Sequence, residues 1–254
     1  MSADTHQPHL PWIESQDPLP PVETAWGVDS EAPGLLAAGA DLSVKRLLEA
    51  YGQGVFPWFN PDQPVLWWSP DPRMVLQIKN FKLHRSLRKT LSRYAAHPQF
   101  ELCFDRSFNQ VIEACSQSPR EGQKGTWIVP AMVEAYKELH LAGHAHSVET
   151  WLDGQLVAGL YFVGIGRAVF GESMFSTLSD GSKMALAALV QVCEQHGIVA
   201  IDCQQNTAHL ASMGAAEMSR AEFLALTRAA KMAPSPDWKN VHIDWDLWRN
   251  GHPA

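Results

Sequence analysis

The runs His146-Ser147-Val148-Glu149-Thr150-Trp151-Leu152 and Gln155-Leu156-Val157-Ala158-Gly159-Leu160-Tyr161-Phe162-Val163-Gly164, joined by Asp153-Gly154, decide the fold. Two stretches rich in β-branched and aromatic residues around an Asp-Gly pair have the composition of a hairpin, because the tight turn needs positive φ at both central positions. Gly164-Ile165-Gly166 reads as a second turn, after which Arg167 to Phe175 supplies a third strand in meander order. Ser182 to His196 then has the length and apolar content of a buried helix, and Ile198 to Cys203 reads as a buried strand.

The same signals continue outward. Met74 to Ile78 and Phe100 to Phe104 read as strands, with a basic helix from His84 to Tyr94 between them. Asp105 is placed to cap a helix running to Cys115, and Pro130 opens a helix that Gly143 ends. Arg220 to Lys231 forms a late helix, and Ser43 caps a short one through Tyr51 with Gly52 as its stop. The tryptophan- and proline-rich stretches Phe56 to Pro61 and Leu66 to Arg73 fit neither helix nor ordinary strand. These readings divide the chain into an irregular lead-in (1–33), a small N-terminal domain (34–73), a main domain (74–232) and a tail (233–254). The expected class is α/β (α+β): a mixed sheet with flanking helices in an acetyltransferase-like (GNAT-type) order.

Composition bounds the function. With 46% hydrophobic and 19% charged residues, the 254-residue chain is globular rather than disordered or fibrous. Its longest apolar stretch, Met184 to Val190, is far too short to span a bilayer, and the N-terminus shows no secretory pattern. The four cysteines (Cys103, Cys115, Cys193, Cys203) form no C-x-x-C pair and read as reduced thiols of a cytoplasmic protein. Net charge is −7, yet Met74 to Phe100 carries six cations (Lys79, Lys82, Arg85, Arg88, Lys89, Arg93) and no acid, which leaves −13 on the remainder. An acidic body with one basic segment can hold a polyanion at one place and a cationic group at another.

Several residues are candidates for chemistry. Glu172 stands inside the apolar strand Gly171 to Ser176, where an acid is costly unless paired or functional; a capping acid at a strand end is the competing reading. Asp202 and Gln204 end the buried strand, and alternation puts them on one face about 7 Å apart; a cap for the next helix would also explain them. Trp58, Trp67, Trp68 and Trp127 suit either a core or stacking on nucleobases. The basic helix is either a solvated face or a phosphate-binding one. His140, His144 and His146 lack the continuous helix a metal motif needs, so a structural cluster and no metal is the reading taken. A CoA-dependent acyltransferase would carry Arg/Gln-x-x-Gly-x-Gly/Ala leading into a helix; here Tyr161 holds the first place and strand pattern resumes at Arg167.

Together these motifs resemble the leucyl/phenylalanyl-tRNA–protein transferase family from about Pro33 to Lys231. The blocks that carry the likeness are Gly34 to Ala37, Tyr51, Gly54 to Phe59, Trp67 to Arg73, Gly125 to Ile128, Gly143 to Ser147, Gly171 to Ser176 and Ile201 to Gln204. Ala40 departs from it, standing where the family has Gly before Asp41; the loop at Glu121 to Lys124 is longer, and the first thirty residues match poorly.

The resemblance implies transfer of Leu or Phe from aminoacyl-tRNA to the α-amino group of proteins beginning with Arg or Lys; an apolar pocket discriminates weakly by size, so Met is expected as a poorer donor. The product would be marked for degradation as an N-degron. It implies no cofactor, no metal and no membrane. By motif, Asp202 and Gln204 would be the catalytic pair, while Trp58, Trp127, Glu172 and Tyr51 would receive the aminoacyl-adenosine end. Met174, Phe175 and Leu186 would line the donor side-chain pocket, and Lys82, Arg85, Arg88, Lys89 and Arg93 would meet tRNA phosphates. A CoA-dependent N-acyltransferase and a non-catalytic module for tRNA ends are the alternatives.

Overall fold

A computed structural model describes residues 9–118 and 128–244. Two mixed sheets and flanking helices make up the molecule. The smaller sheet is built from β1 (Trp12–Ile13), β2 (Leu35–Gly39), β3 (Phe56–Pro57) and β4 (Leu66–Trp68), in the order β1-β2-β4-β3. Helix α1 (Val44–Gly52) lies between β2 and β3 in the chain. Its Ser43 side chain accepts the Arg46 N–H as expected, but the left-handed residue that ends the turn is Gly54 (φ 73°), not Gly52.

The tryptophan-rich stretches contain short strands, Phe56–Pro57 and Leu66–Trp68, with irregular chain after each. Trp67 is fully buried and its Nε1 donates to Gly39 O at 3.0 Å, while Trp68 Nε1 donates to Trp58 O at 2.6 Å. Indoles that bury their rings and satisfy their N–H on a neighbouring backbone are well suited to so short a sheet. The lead-in also contributes more than irregular chain, since β1 pairs with β2 and Ile13, Leu19 and Val22 are buried.

The larger sheet begins with β5 (Arg73–Gln77). Helix α2 (Arg85–Ala95) follows, then β6 (Phe100–Phe104), α3 (Phe108–Gln117) and α4 (Pro130–Leu141). The meander is β7 (Ala145–Leu152), β8 (Gln155–Ile165) and β9 (Ala168–Ser176), with Asp153 and Gly154 at φ 52° and 75° in its first turn. Helix α5 (Gly181–Gln195) crosses to β10 (Ala200–Gln204), and α6 (Ala208–Ser212), β11 (Ala216–Met218) and α7 (Arg220–Ala230) close the fold. Spatial order is β11-β5-β10-β9-β8-β7-β6.

Asp105 does not cap α3. It lies at φ 51° with its carboxylate accepting the Ser147 N–H, while Ser107 occupies the cap position and gives its N–H to Glu149 Oε1. The turn out of β6 needs a left-handed residue, and Asp tolerates that conformation better than most.

Strand alternation sorts side chains onto two cores. On β8, Tyr161 and Val163 join the core under α1, α3 and α4, whereas Leu160 and Phe162 face α2 and α5. Within the larger sheet β9 and β10 form a parallel pair, and their register is limited to Val169↔Ile201 and Phe170↔Asp202. Beyond those residues the pairing ends, and a gap opens in the sheet.

Ala40 takes φ 60°, a conformation that costs an L-residue roughly 1–2 kcal/mol and a glycine nothing comparable. Ala40→Gly is therefore expected to stabilise the protein by up to about 1 kcal/mol after the extra freedom of the unfolded chain is counted. Urea unfolding measures this, and a lowered midpoint would contradict it.

Candidate active site

The gap between β9 and β10 opens into a cleft of about 560 Å³. Leu160, Met174, Leu186 and Leu189 form its apolar half. Glu172, Asp202, Gln204, Thr207 and His209 give the polar part, with Trp58 at the same cavity. Met174 and Leu186 both line this cleft. Phe175 does not: it is the residue after Met174 on a strand, so it points through the sheet into the core beside Gly159 and Val111. Trp127 lies outside the described residues. Trp58 packs edge-on against Trp68, ring centroids 5.4 Å apart, and keeps part of its surface open.

Simple alternation fails at the end of β10. The register with β5 slips between Asp202 and Gln204, and Gln204 adopts φ 61°. The bulge turns the two side chains to different partners. Asp202, 3% exposed, is gripped by Arg73, whose Nε donates to Oδ1 at 2.8 Å and whose second terminal nitrogen donates to Oδ2 at 2.6 Å. Asp202 Oδ1 also accepts the backbone N–H of Gln204 at 2.9 Å. The Gln204 side chain instead spans the gap, Nε2 donating to Glu172 Oε1 at 2.8 Å.

Arg73 was not among the sequence candidates, although it closes the Trp-Trp-Ser-Pro-Asp-Pro-Arg block. Its guanidinium sits 4.7 Å from the ring centroids of both Phe56 and Phe223, and the terminal nitrogen that does not contact Asp202 has no hydrogen-bond partner among the described residues. Aromatic faces on two sides offset part of the cost of burying that cation. Tyr136 on α4 was missed as well. Tyr51 OH donates to Glu172 Oε1 at 2.7 Å, Tyr136 OH lies 3.2 Å from Oε2, and the two phenols hydrogen-bond each other. A tyrosine in an amphipathic helix has no signal that separates it from ordinary core.

These environments set the charge states. Burial pushes the Glu172 carboxyl up to about 8; the Tyr51 hydrogen bond opposes that shift and the nearby Asp202 charge adds to it. Burial, then the neighbouring Glu172, hold both phenols well above their ordinary range, so they keep their protons. Cys203 also faces the cleft, but burial followed by Asp202 pushes its thiol up to about 12, too high for a thiolate nucleophile.

Outside the cleft, Asp105, His140 and His146 bring ligand-type atoms within 4.8 Å of one another. Each already has a protein partner: His146 Nδ1 meets Asp105 Oδ2 at 2.7 Å, and His140 Nδ1 meets Ala145 O at 2.7 Å with its ring stacked on Phe108. His144 is set apart, its Nδ1 3.4 Å from Gly164 O.

On α2, Leu87 and Leu91 are buried while Arg85, Lys89 and Arg93 are exposed and Arg88 is half-buried. Among the described residues these four cations and Lys82 make no ion pair. The N-terminal end of α2 is tied to the cleft rim, since Lys82 N–H donates to Met213 O and His84 Nε2 lies 2.8 Å from Ser212 O, at the end of α6.

Fold and cleft together define a mixed α/β protein that presents a hydrogen-bonded acid–carboxamide pair at the end of an apolar pocket. A model of the family described as leucyl/phenylalanyl-tRNA protein transferase matches residues 75–228, and one for that family's N-terminal domain matches residues 40–71. The leucyl/phenylalanyl-tRNA–protein transferase of a Polaromonas species is 57% identical over 93% of this chain and 92% of its own. That of Albidiferax ferrireducens is 55% identical over 94% of each. The solved structure of FemX aligns at 11% identity with a TM-score of 0.42, over 68% of this chain and 66% of that one. The chain belongs to the leucyl/phenylalanyl-tRNA–protein transferase family.

Removing Arg73 would leave a carboxylate buried without a counter-ion, which typically costs about 3–5 kcal/mol. Arg73→Ala is expected to lose stability on that scale in urea unfolding. A loss below about 1 kcal/mol, the usual worth of an exposed pair, would show that the pair contributes little.

Proposed function

We propose that this aminoacyltransferase moves Leu or Phe, and Met less well, from aminoacyl-tRNA to the α-amino group of proteins that begin with Arg or Lys. The observation that carries the reading is the cleft itself: a cavity of about 560 Å³ with one apolar side, the Gln204–Glu172 bridge on its polar side and an indole beside it. In this reading Met174 and Leu186 receive the donor side chain, and Trp58 with Trp127 holds the terminal adenosine. Tyr51 and Glu172 bound the ester, and Gln204, set by Asp202, meets the attacking amine. Lys82 and the α2 cations Arg85, Arg88, Lys89 and Arg93 follow the acceptor-stem phosphates toward the cleft rim.

The chemistry asks little beyond placement. The amine nitrogen attacks the ester carbonyl carbon, the bond from that carbon to the ribose oxygen breaks, and one amine proton ends on that oxygen. An ester is already activated, so fixing the amine against it supplies much of the rate. The Gln204 carbonyl oxygen accepts a hydrogen bond from the amine and aims its lone pair. Asp202, already paired with Arg73 and with the Gln204 N–H, acts as an anchor in this scheme rather than as a proton acceptor. No cofactor and no metal take part.

The limited β9–β10 pairing, at which the cleft opens, supports an acetyltransferase-type (GNAT-like) sheet. A boundary near residue 73 is supported by the change of sheet between β4 and β5. Among the described residues no helix is long and apolar enough to cross a membrane, consistent with work in the cytoplasm at the head of an N-degron route.

Labelled Leu-tRNA incubated with a peptide beginning with Arg tests the activity. Label entering the peptide without CoA is expected; a requirement for acyl-CoA, or tRNA binding without transfer, would point to the alternative readings. In that assay Gln204→Ala is expected to lower kcat by about 10²–10⁴-fold with tRNA affinity unchanged. A kcat near that of the parent would remove Gln204 from the mechanism.

For the basic face, Arg85→Ala combined with Arg88→Ala is expected to weaken tRNA binding. The log–log salt slope should fall by up to about 1.4–1.8, at roughly 0.7–0.9 per lost phosphate contact. An unchanged slope would return α2 to an ordinary solvated face.

A further inference from the structure

Glu172, Tyr51 and Tyr136 form a closed ring of hydrogen bonds. Three oxygen–oxygen contacts close it: Glu172 Oε1 with Tyr51 OH at 2.7 Å, Tyr51 OH with Tyr136 OH, and Tyr136 OH with Glu172 Oε2 at 3.2 Å. Each contact needs one hydrogen, and each phenol carries one. With an ionised carboxyl only two hydrogens are available, so one pair of buried oxygens would face each other with lone pairs alone. A third hydrogen on Glu172 Oε2 satisfies every contact in one direction around the ring.

We propose that Glu172 is a neutral carboxylic acid in the resting protein, its proton closing the ring with Tyr136 and Tyr51, and that Tyr136 is a positioning residue of the cleft. Oε2 then donates to Tyr136, Tyr136 to Tyr51, and Tyr51 to Oε1. Oε1 remains a carbonyl oxygen with capacity for two donors, and it takes the second from Gln204 Nε2 at 2.8 Å. That bond fixes which end of the Gln204 amide faces Glu172 and leaves its carbonyl oxygen for the cleft.

The surroundings agree. The groups packed around the carboxyl are Tyr51 from α1, Tyr136 from α4 with Tyr161 of β8 behind it (ring centroids 5.5 Å apart), and Gln204 and Asp202 from β10. Arg73 of β5 is the nearby cation, and both its contacts to a carboxylate go to Asp202. With no cation of its own, the Glu172 carboxyl is pushed up to about 8, chiefly by burial.

The consequence for transfer rests on the reading of the cleft given above; the hydrogen count does not. A carboxylate here would hold an incoming ammonium as an ion pair and raise its pKa, keeping the nucleophile protonated. A neutral acid beside the Gln204 carbonyl offers acceptors without that trap. The rate therefore gains as the amine loses its proton and declines again as Glu172 ionises.

Infrared spectroscopy of protein carrying carboxyl-labelled glutamate tests the proton without tRNA or acceptor. At neutral pH an isotope-shifted C=O band of a protonated acid is expected, which Glu172→Gln abolishes and Tyr136→Phe moves by removing its acceptor. A spectrum without that band, or a band indifferent to both changes, overturns the proposal. Stability gives a second readout. Because the folded carboxyl titrates near 8 and the unfolded one near 4.5, folded protein holds the extra proton between those values. Stability from this group is thus full below about 4.5 and is lost as pH rises toward about 8. Wild type should fall relative to Glu172→Gln across that window; parallel curves would overturn the proposal. If the proton is found but no transfer occurs, the reading of the cleft fails while the hydrogen count stands.

Discussion

The bidentate pair between Arg73 and Asp202 is the constraint on which the rest of the molecule depends. Arg73 starts β5, Asp202 lies near the end of β10, Phe56 belongs to β3 of the small sheet, and Phe223 belongs to α7. One buried cation therefore touches both sheets and helix α7. Removing both ions from water costs several kcal/mol, and two charge-assisted hydrogen bonds with two aromatic faces offset that cost only in one geometry. The strictness is the useful part. Asp202 Oδ1 also holds the Gln204 N–H, so the bulge that aims Gln204 across the gap follows from where Arg73 sits.

The two acids of the cleft show how one neighbourhood gives chemically similar groups different partners. Asp202 has a cation on both oxygens, whereas Glu172 has phenols and an amide and no cation in contact. Burial, with the nearby Asp202 charge adding to it, pushes the Glu172 carboxyl up to about 8. The protein as a whole has a net charge of −7. Its strong local charge sits elsewhere, on α2, where buried Leu87 and Leu91 anchor a helix whose outer face is cationic.

The larger sheet also explains why the opening lies where it does. Antiparallel pairing along the meander is long, with eight paired positions between β8 and β9, and its register slips between Tyr161 and Phe162 so that Glu172 stands as the extra residue on β9. The crossover through α5 brings β10 back parallel to β9, and only two positions pair before the strands part. Side chains beyond that point, Glu172 and Gln204 among them, have no ladder partner across the gap and meet through their own polar atoms.

Sequence alone determined the elements whose signals are local. The Asp153-Gly154 hairpin, the apolar helix α5, the Pro130 start of α4 and the basic face of α2 all follow from periodicity, turn chemistry and charge within a short window. The rare blocks around Trp58, Glu172 and Asp202 were equally legible, and family membership followed from them. What the tertiary structure decided is every partnership between residues far apart in the chain. Asp202 pairs with Arg73 rather than sharing a face with Gln204, because a bulge interrupts the alternation that sequence assumes. Phe175 leaves the pocket that Met174 enters, because adjacent strand residues point to opposite sides and register chooses which. Tyr136 joins Glu172 from 36 residues away, since packing of α4 against the sheet, and no local pattern, brings the two together.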